Sequence, residues 1–171
     1  MNGATRTAAQ LRQDFDGSFA KPLHGETEPQ EDFLAIRLGA DAHAIRLADI
    51  ANLLPLTALT RLPGPIPELL GITGFRGAIV PVYDLGALLG YAAQEQSRWL
   101  VIAAAGSVAL AFDAFEGHLR LARSASAPQH STESSRRHVQ EVLRTSDRVR
   151  PVVSVASILE TIKTMAQQSA V

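Results

Sequence analysis

From Phe33 the chain alternates apolar and polar positions. In FLAIRL, Leu34, Ile36 and Leu38 point one way while Ala35 and Arg37 point the other. A period of two marks a strand buried on one face. GADA supplies a turn and HAIRL returns with the same alternation, so the opening element is a β-hairpin. In LADIANLL the apolar residues fall at Leu47, Ile50 and Leu54, a spacing that predicts a helical turn or two. TRLPGPIPELLG then carries three prolines in five residues, too many for a continuous element. A second hairpin is predicted around TGFRG, with AIVPV as a strand whose Pro81 belongs at an edge or bulge. DLGALLG closes this half with a short helical turn.

The same order then recurs. FLAI at Phe33–Ile36 is echoed by WLVI at Trp99–Ile102, and PVYDLGALL from Pro81 by PVVSVASIL from Pro151. The landmarks lie 48 residues apart in the first half and 52 in the second, and the arginine-bearing turn has its counterpart in TSDRVRP. Two ordered echoes at matched spacing predict an internal repeat of two small β lobes. SILETIKTMAQQ places Ile158, Leu159, Ile162 and Met165 on one stripe, a C-terminal amphipathic helix expected to pack on its own lobe. One folded domain over residues 31–165 is therefore expected, with a mobile polar loop at about 124–137 and a tail at 166–171. Residues 1–30 read as a flexible extension. Within it Leu11, Phe15 and Phe19 recur every four residues, which predicts either a frayed tail or a short amphipathic helix that forms on docking.

Composition narrows the chemistry. Among 171 residues there is no cysteine, so disulfide frameworks, thiolate metal sites and cysteine nucleophiles are excluded. A net charge of −1 argues against a general nucleic-acid binder. No apolar run approaches the roughly 20 residues that cross a bilayer, and a cytoplasmic address is expected. Gly71, Gly74 and Gly77 have the wrong spacing for a dinucleotide turn, there is no GxSxG elbow, and the five histidines lack metal-ligand spacing. Asp84 and Asp113 each follow an apolar strand, where aspartate caps a turn. The expectation is a protein without catalysis, metal or cofactor.

Arg76 stands apart. It lies between Phe75 and Gly77 at the head of an apolar strand. Arginine joins a planar multi-donor head to an apolar stem, which suits an interface anchor. A turn arginine paired with a carboxylate such as Asp84 accounts for it equally well.

The stretch LTRLPGPIPELLGITGFRGAIVPVYDLGALLG, Leu59–Gly90, resembles the CheW family of chemotaxis coupling proteins. FLAIRLGADAHAIRLADIANLL, VALAFDAFEGHLRL and VLRTSDRVRPVVSVASIL are similar to its opening hairpin, a second-lobe strand and its closing elements. The resemblance runs from Phe33 to about Ile162. It implies an all-β fold of two intertwined five-stranded SH3-like barrels with short helices and a C-terminal helix. It also implies a non-enzymatic adaptor that bridges the cytoplasmic tip of a methyl-accepting chemoreceptor to the regulatory domain of a CheA-type histidine kinase, itself CheW-like. By position, the resemblance implies partner-binding roles for Ile50, Asn52, Gly71, Phe75, Arg76, Gly77, Phe115 and His118. Asn52 stands where an acidic residue is common, His118 where valine is usual, and Glu141 where glycine is usual. Those departures and the N-terminal extension leave a second pathway open, one serving type IV pili or surface sensing. A small-ligand sensor using the cleft between lobes is a further alternative, although the sequence offers no charged cluster to anchor a ligand.

Overall fold

The computed structural model describes residues 28–92, 97–128, 138–145 and 148–168; the helix expected around Leu11–Phe19 lies outside them. The first half of the chain supplies β1 (Gln30–Leu38), β2 (Asp41–Arg46), β3 (Ile50–Pro55), β4 (Thr60–Arg61), β5 (Leu69–Phe75), β6 (Ala78–Asp84) and the single turn α1 (Leu85–Leu88). The second half supplies β7 (Trp99–Ala103), β8 (Ala109–Phe112), β9 (Ala114–Ala122), β10 (Ser126–Pro128), β11 (Val139–Arg144), β12 (Val149–Val153) and α2 (Val155–Gln168).

Two six-stranded sheets result. Sheet A runs β10-β11-β12-β2-β1-β9 and sheet B runs β4-β5-β6-β8-β7-β3. The two orders are identical once β1 to β6 are matched with β7 to β12, so the repeat read from the sequence is a repeat of topology. The halves are also intertwined. Each sheet takes its central hairpin from one half of the chain and its other four strands from the other half. Counting the short β4 and β10 gives six strands per sheet where five were expected.

Each sheet curls on itself. Leu54 and Leu56 of the β3 end and Leu70 and Phe75 of β5 pack on one cluster of Val80, Val82, Leu100, Ile102, Ala109 and Ala111, although β3 and β5 stand near opposite ends of the ladder. In sheet A, Leu119 and Leu121 of β9 likewise join Leu143 of β11 over Phe33, Ala44 and Val152. These are the interiors of two small barrels. A third and larger cluster fills the space between them, with Ile36 and Ile45 from sheet A, Val101, Leu110 and Phe112 from sheet B, and Val155, Ile158, Leu159 and Ile162 from α2. The C-terminal helix therefore packs between the lobes rather than on its own lobe alone, because both barrels present an apolar outer face that needs cover.

Both prolines of the echoed motif occupy the same place. The parallel ladder from β6 to β8 begins at Val82 and that from β12 to β2 at Val152, immediately after Pro81 and Pro151. On that side each proline sits where no ladder bond is asked of it, so an interior strand is locally an edge. The caps match as well. The Asp84 carboxylate accepts from the Ala87 amide at α1, and the Ser154 hydroxyl accepts from the Ser157 amide at α2.

Three expectations need correction. LADIANLL is a single 3-10 turn, Leu47–Asp49, followed by β3, not a helix of one or two turns. The segment expected to be a mobile loop from 124 is ordered through Pro128, because β10 pairs with β11 and the Ser126 hydroxyl donates to Glu141 at 2.6 Å; residues 129–137 lie outside the described residues. The helix α2 runs on to Gln168, beyond the boundary expected at 165.

Candidate partner-binding surface

The hairpin of β5 and β6 turns through two residues only. Phe75 pairs with Ala78, and Arg76 and Gly77 between them have φ of 48° and 80°. Positive φ at both central residues is what a two-residue turn needs to match the twist of its strands. Glycine adopts it freely at position 77, whereas arginine at position 76 is strained. Phe75 packs into the interior of barrel B, and the Arg76 guanidinium lies 5.1 Å above its ring. Arg76 is exposed and has no carboxylate within 4 Å among the described residues. Asp84 is at the far end of the seven-residue β6, roughly 20 Å of strand away. It is buried and caps α1, so the pairing of Arg76 with Asp84 does not occur.

The glycines of this hairpin differ in kind. Gly71 is buried at φ +152°, and a Cβ there would lie 2.1 Å from the Thr60 carbonyl oxygen. It is the floor on which β4 lies, a need met inside the fold. Gly77 serves the turn. A Cβ at Gly74 would meet nothing within 4 Å. Opposite Gly74 stands Ile79, which is 73% exposed.

The other residues singled out from the sequence lie elsewhere. Ile50, at the start of β3, packs half-buried on the central cluster, and Asn52 pairs with Ile102. Phe115 on β9 pairs with Ile36, so Asn52 and Phe115 occupy equivalent positions of the repeat. Phe115 is 36% exposed and meets Trp99 of sheet B edge-on at 5.7 Å between centroids. His118 is exposed, with its Nε2 2.8 Å from Asp32 Oδ1. The structure thus brings Phe75, Arg76 and Gly77 together at one hairpin tip, keeps Ile50 and Asn52 on β3, and sets Phe115 and His118 on sheet A.

Sequence reasoning missed the charged groups. Arg46 donates from Nε to Glu31 at 3.2 Å and from Nη2 to Glu141 at 2.6 Å, while Arg123 lies 3.6 Å from Glu31. Burial raises the Glu141 carboxyl, but hydrogen bonds from Arg46 and Ser126 and the charges of Arg46 and Arg123 outweigh it and hold the group below its usual value. Beside Arg46 lies a cavity of about 510 Å³ lined by Gln30, Glu31, Asp32, Arg46, Leu47 and Ala48. A charged cluster of the kind the sequence did not show is therefore present, with its members already paired to one another. A second set plugs barrel A. Arg150, only 6% exposed, donates to Glu116 at 2.7 Å, and Arg37 approaches the same carboxylate at 3.7 Å. Glu116 is the extra residue of a bulge in β9, with Phe115 and Gly117 on either side of it facing consecutive residues of β1. No group of three or more His, Asp or Glu side chains suited to a metal occurs among the described residues, and no described helix is long and apolar enough to cross a membrane.

Comparison with known proteins agrees with this architecture. The crystal structure of the scaffolding protein TtCheW from Thermoanaerobacter tengcongensis superposes with a TM-score of 0.68 at 19% identity, covering 77% of this chain and 94% of that one. Against the curated proteins the chain has no match. The model of the CheW-like domain matches residues 32–163, which takes in both barrels and most of α2. Intertwined sheets, paired helix caps and the arginine-bearing hairpin all fall within that span, and the chain belongs to the CheW family, whose proteins are non-enzymatic scaffolds of chemosensory signalling built on the CheW-like domain.

Proposed function

We propose that this protein couples a methyl-accepting chemoreceptor to a CheA-type histidine kinase, binding the kinase's regulatory domain and the receptor's cytoplasmic tip. It would work in the cytoplasm beside membrane-bound receptor arrays. The observation that carries the reading is the β5–β6 tip. A guanidinium is fixed over an aromatic ring, at positive φ, on the surface, and without a described counter-charge. Within the fold the stacking on Phe75 offsets the strain only in part; a partner that supplies a carboxylate would add a charge-assisted contact. Phe115 and His118 on β9, with Ile50 and Asn52 on β3, are the further contacts proposed; β3 and β9 are equivalent strands of the repeat, and Asn52 and Phe115 equivalent positions on them. Asn52 and His118 also support the second pathway reading, a chemosensory array that controls pili or surface sensing.

Titration calorimetry with the regulatory domain of the CheA-type kinase and with a receptor-tip fragment from the same organism tests the reading. It is run on the full chain and on a chain lacking residues 1–30. Binding of both by the full chain is expected. Failure to bind either removes the adaptor reading.

A further inference from the structure

The seam between the barrels holds a polar cluster that the adaptor reading does not use. His43 on β2 is fully buried. Its neighbour Ala44 points into barrel A, so His43 faces the other way, where its β1 partner Ile36 belongs to the central cluster. Tyr91 meets it from just past α1, on the side of the other lobe, with the two rings edge-on at 5.7 Å between centroids. Three polar contacts join the group. The Tyr91 hydroxyl donates to Asp41 Oδ2 at 2.9 Å and lies 3.2 Å from His43 Nε2, and His43 Nδ1 is 3.3 Å from the Asp41 carbonyl oxygen.

Counting protons decides the state of this group. The hydroxyl has one proton and gives it to Asp41, so Nε2 must donate to the hydroxyl oxygen. A carbonyl oxygen only accepts, so Nδ1 must donate as well. A neutral imidazole has a single N–H, and either tautomer leaves one contact with lone pairs facing and no proton between them. The three contacts call for one proton more than a neutral tyrosine, a neutral histidine and a carboxylate possess. Imidazole is more basic than a carboxylate by about 2.5 pH units, so the imidazole takes it. Burial alone disfavours the charge; the Asp41 carboxylate, one hydroxyl away, offsets it.

The other ionisable groups on the surrounding elements have contacts of their own. Arg37 of β1 and Arg150 of β12 turn to Glu116, and Arg46 of β2 to Glu31 and Glu141. The Asp84 carboxylate accepts from the Ala87 amide and the Asp113 carboxylate from the Gly39 amide, while His138 Nδ1 lies 2.8 Å from the Ser157 hydroxyl. Burial pushes the Tyr83 hydroxyl of the central cluster up, and it keeps its proton.

We propose that His43, Tyr91 and Asp41 form a proton-operated latch between the barrels, in which the imidazole carries both protons near neutral pH and its deprotonation releases the Tyr91 segment from β2. The proton leaves to solvent base, and the contact from Nδ1 or from Nε2 goes with it. The latch lies where the run from β6 through α1 meets the strand that β12 holds by a parallel ladder, so it ties one barrel to the other.

Nitrogen NMR of the histidine rings in the full chain reads the proton directly. At about pH 7.5 an ordinary histidine is about nine-tenths neutral. His43 is expected to show two protonated ring nitrogens there, and Tyr91→Phe, which keeps the ring packing, to show one; His43→Gln assigns the signal. The same proton makes folding pH-dependent. The folded state holds it where the unfolded chain has lost it, so stability is fully present below the ordinary histidine range and falls as pH rises, until the folded imidazole also lets go. Denaturant titrations should show the unfolding constant rising by up to about tenfold per pH unit above about pH 7, with that slope reduced in Tyr91→Phe. Protection of the Tyr91 amide, which donates to the Gly86 carbonyl, should fall over the same range once intrinsic exchange rates are allowed for. A His43 ring with one protonated nitrogen at about pH 7.5, or an equal stability slope with and without the Tyr91 hydroxyl, overturns the latch. A doubly protonated ring whose titration leaves the Tyr91 amide equally protected makes the cluster a static ion pair and overturns it too.

Discussion

Arg76→Gly separates stability from binding. In the folded state the substitution relieves a left-handed arginine, a gain of about 1–2 kcal/mol. Against this stand the extra freedom of glycine in the unfolded chain, about 0.4–1 kcal/mol, and the loss of the exposed stacking on Phe75, about 0.5–1 kcal/mol. The terms nearly cancel, so the net change should stay within about 1 kcal/mol, or a few degrees in melting temperature. Binding has no such compensation. Removing a guanidinium that meets a partner carboxylate should cost about 2 kcal/mol or more, roughly thirtyfold in Kd. Differential scanning calorimetry and titration against the kinase regulatory domain and the receptor tip measure the two effects on one preparation. Arg76→Asn, which tolerates the same backbone, should behave alike. A melting temperature lowered by ten degrees with unchanged affinity would show that the arginine holds the turn and meets no partner.

Three further outcomes follow from the packing. Gly71→Ala drives a methyl group into the Thr60 carbonyl at a strained φ and should destabilise by about 3 kcal/mol or more, seen as a large drop in denaturant midpoint. Glu116→Gln strips the counter-charge from the buried Arg150 and should cost about 3 kcal/mol, whereas Arg37→Ala on the exposed side of the same carboxylate should cost no more than about 0.5 kcal/mol; equal effects would refute the buried pairing. Because the folded Glu141 carboxyl is held below its usual value, its stabilisation is present at neutral pH and disappears as acid protonates it in the folded state. Glu141→Gln should therefore lower stability at pH 7 and flatten the acid limb of a stability–pH curve; an unchanged limb would contradict the arginine contacts.

What the sequence made legible depended on whether a feature is periodic. The echo of PVYDL in PVVSV marks equivalent strands because proline, strand and cap recur together, down to Asp84 and Ser154. The helical spacing of Leu47, Ile50 and Leu54 marks no common face: Leu47 is exposed, and across the bulge between Ile50 and Asn52 the strand β3 turns Ile50 to the central cluster and Leu54 to the interior of barrel B. The stripe on α2 was visible, but a stripe does not say what it covers, and here it covers both barrels. The network of Glu31, Arg46, Arg123 and Glu141 had no local signature, since its members meet only when four separate segments fold. At the tip, Arg76 was noticeable for its company, and its strain is a backbone property that letters do not carry. Gly74 looked like one of three similar glycines; only the empty space around it tells it apart from Gly71.

The exchange of hairpins between the halves has a practical result for mapping partners. A fragment ending at residue 92 would hold β1 and β2 without the four strands that flank them in sheet A, and β3 to β6 without the pair that completes sheet B. Deletion mapping by halves would thus report lost binding for any partner, wherever it docks. A chain nicked between residues 92 and 97 should instead stay associated and keep binding, because each piece is clasped by the other at four separate ladders, β1 to β9, β2 to β12, β3 to β7 and β6 to β8.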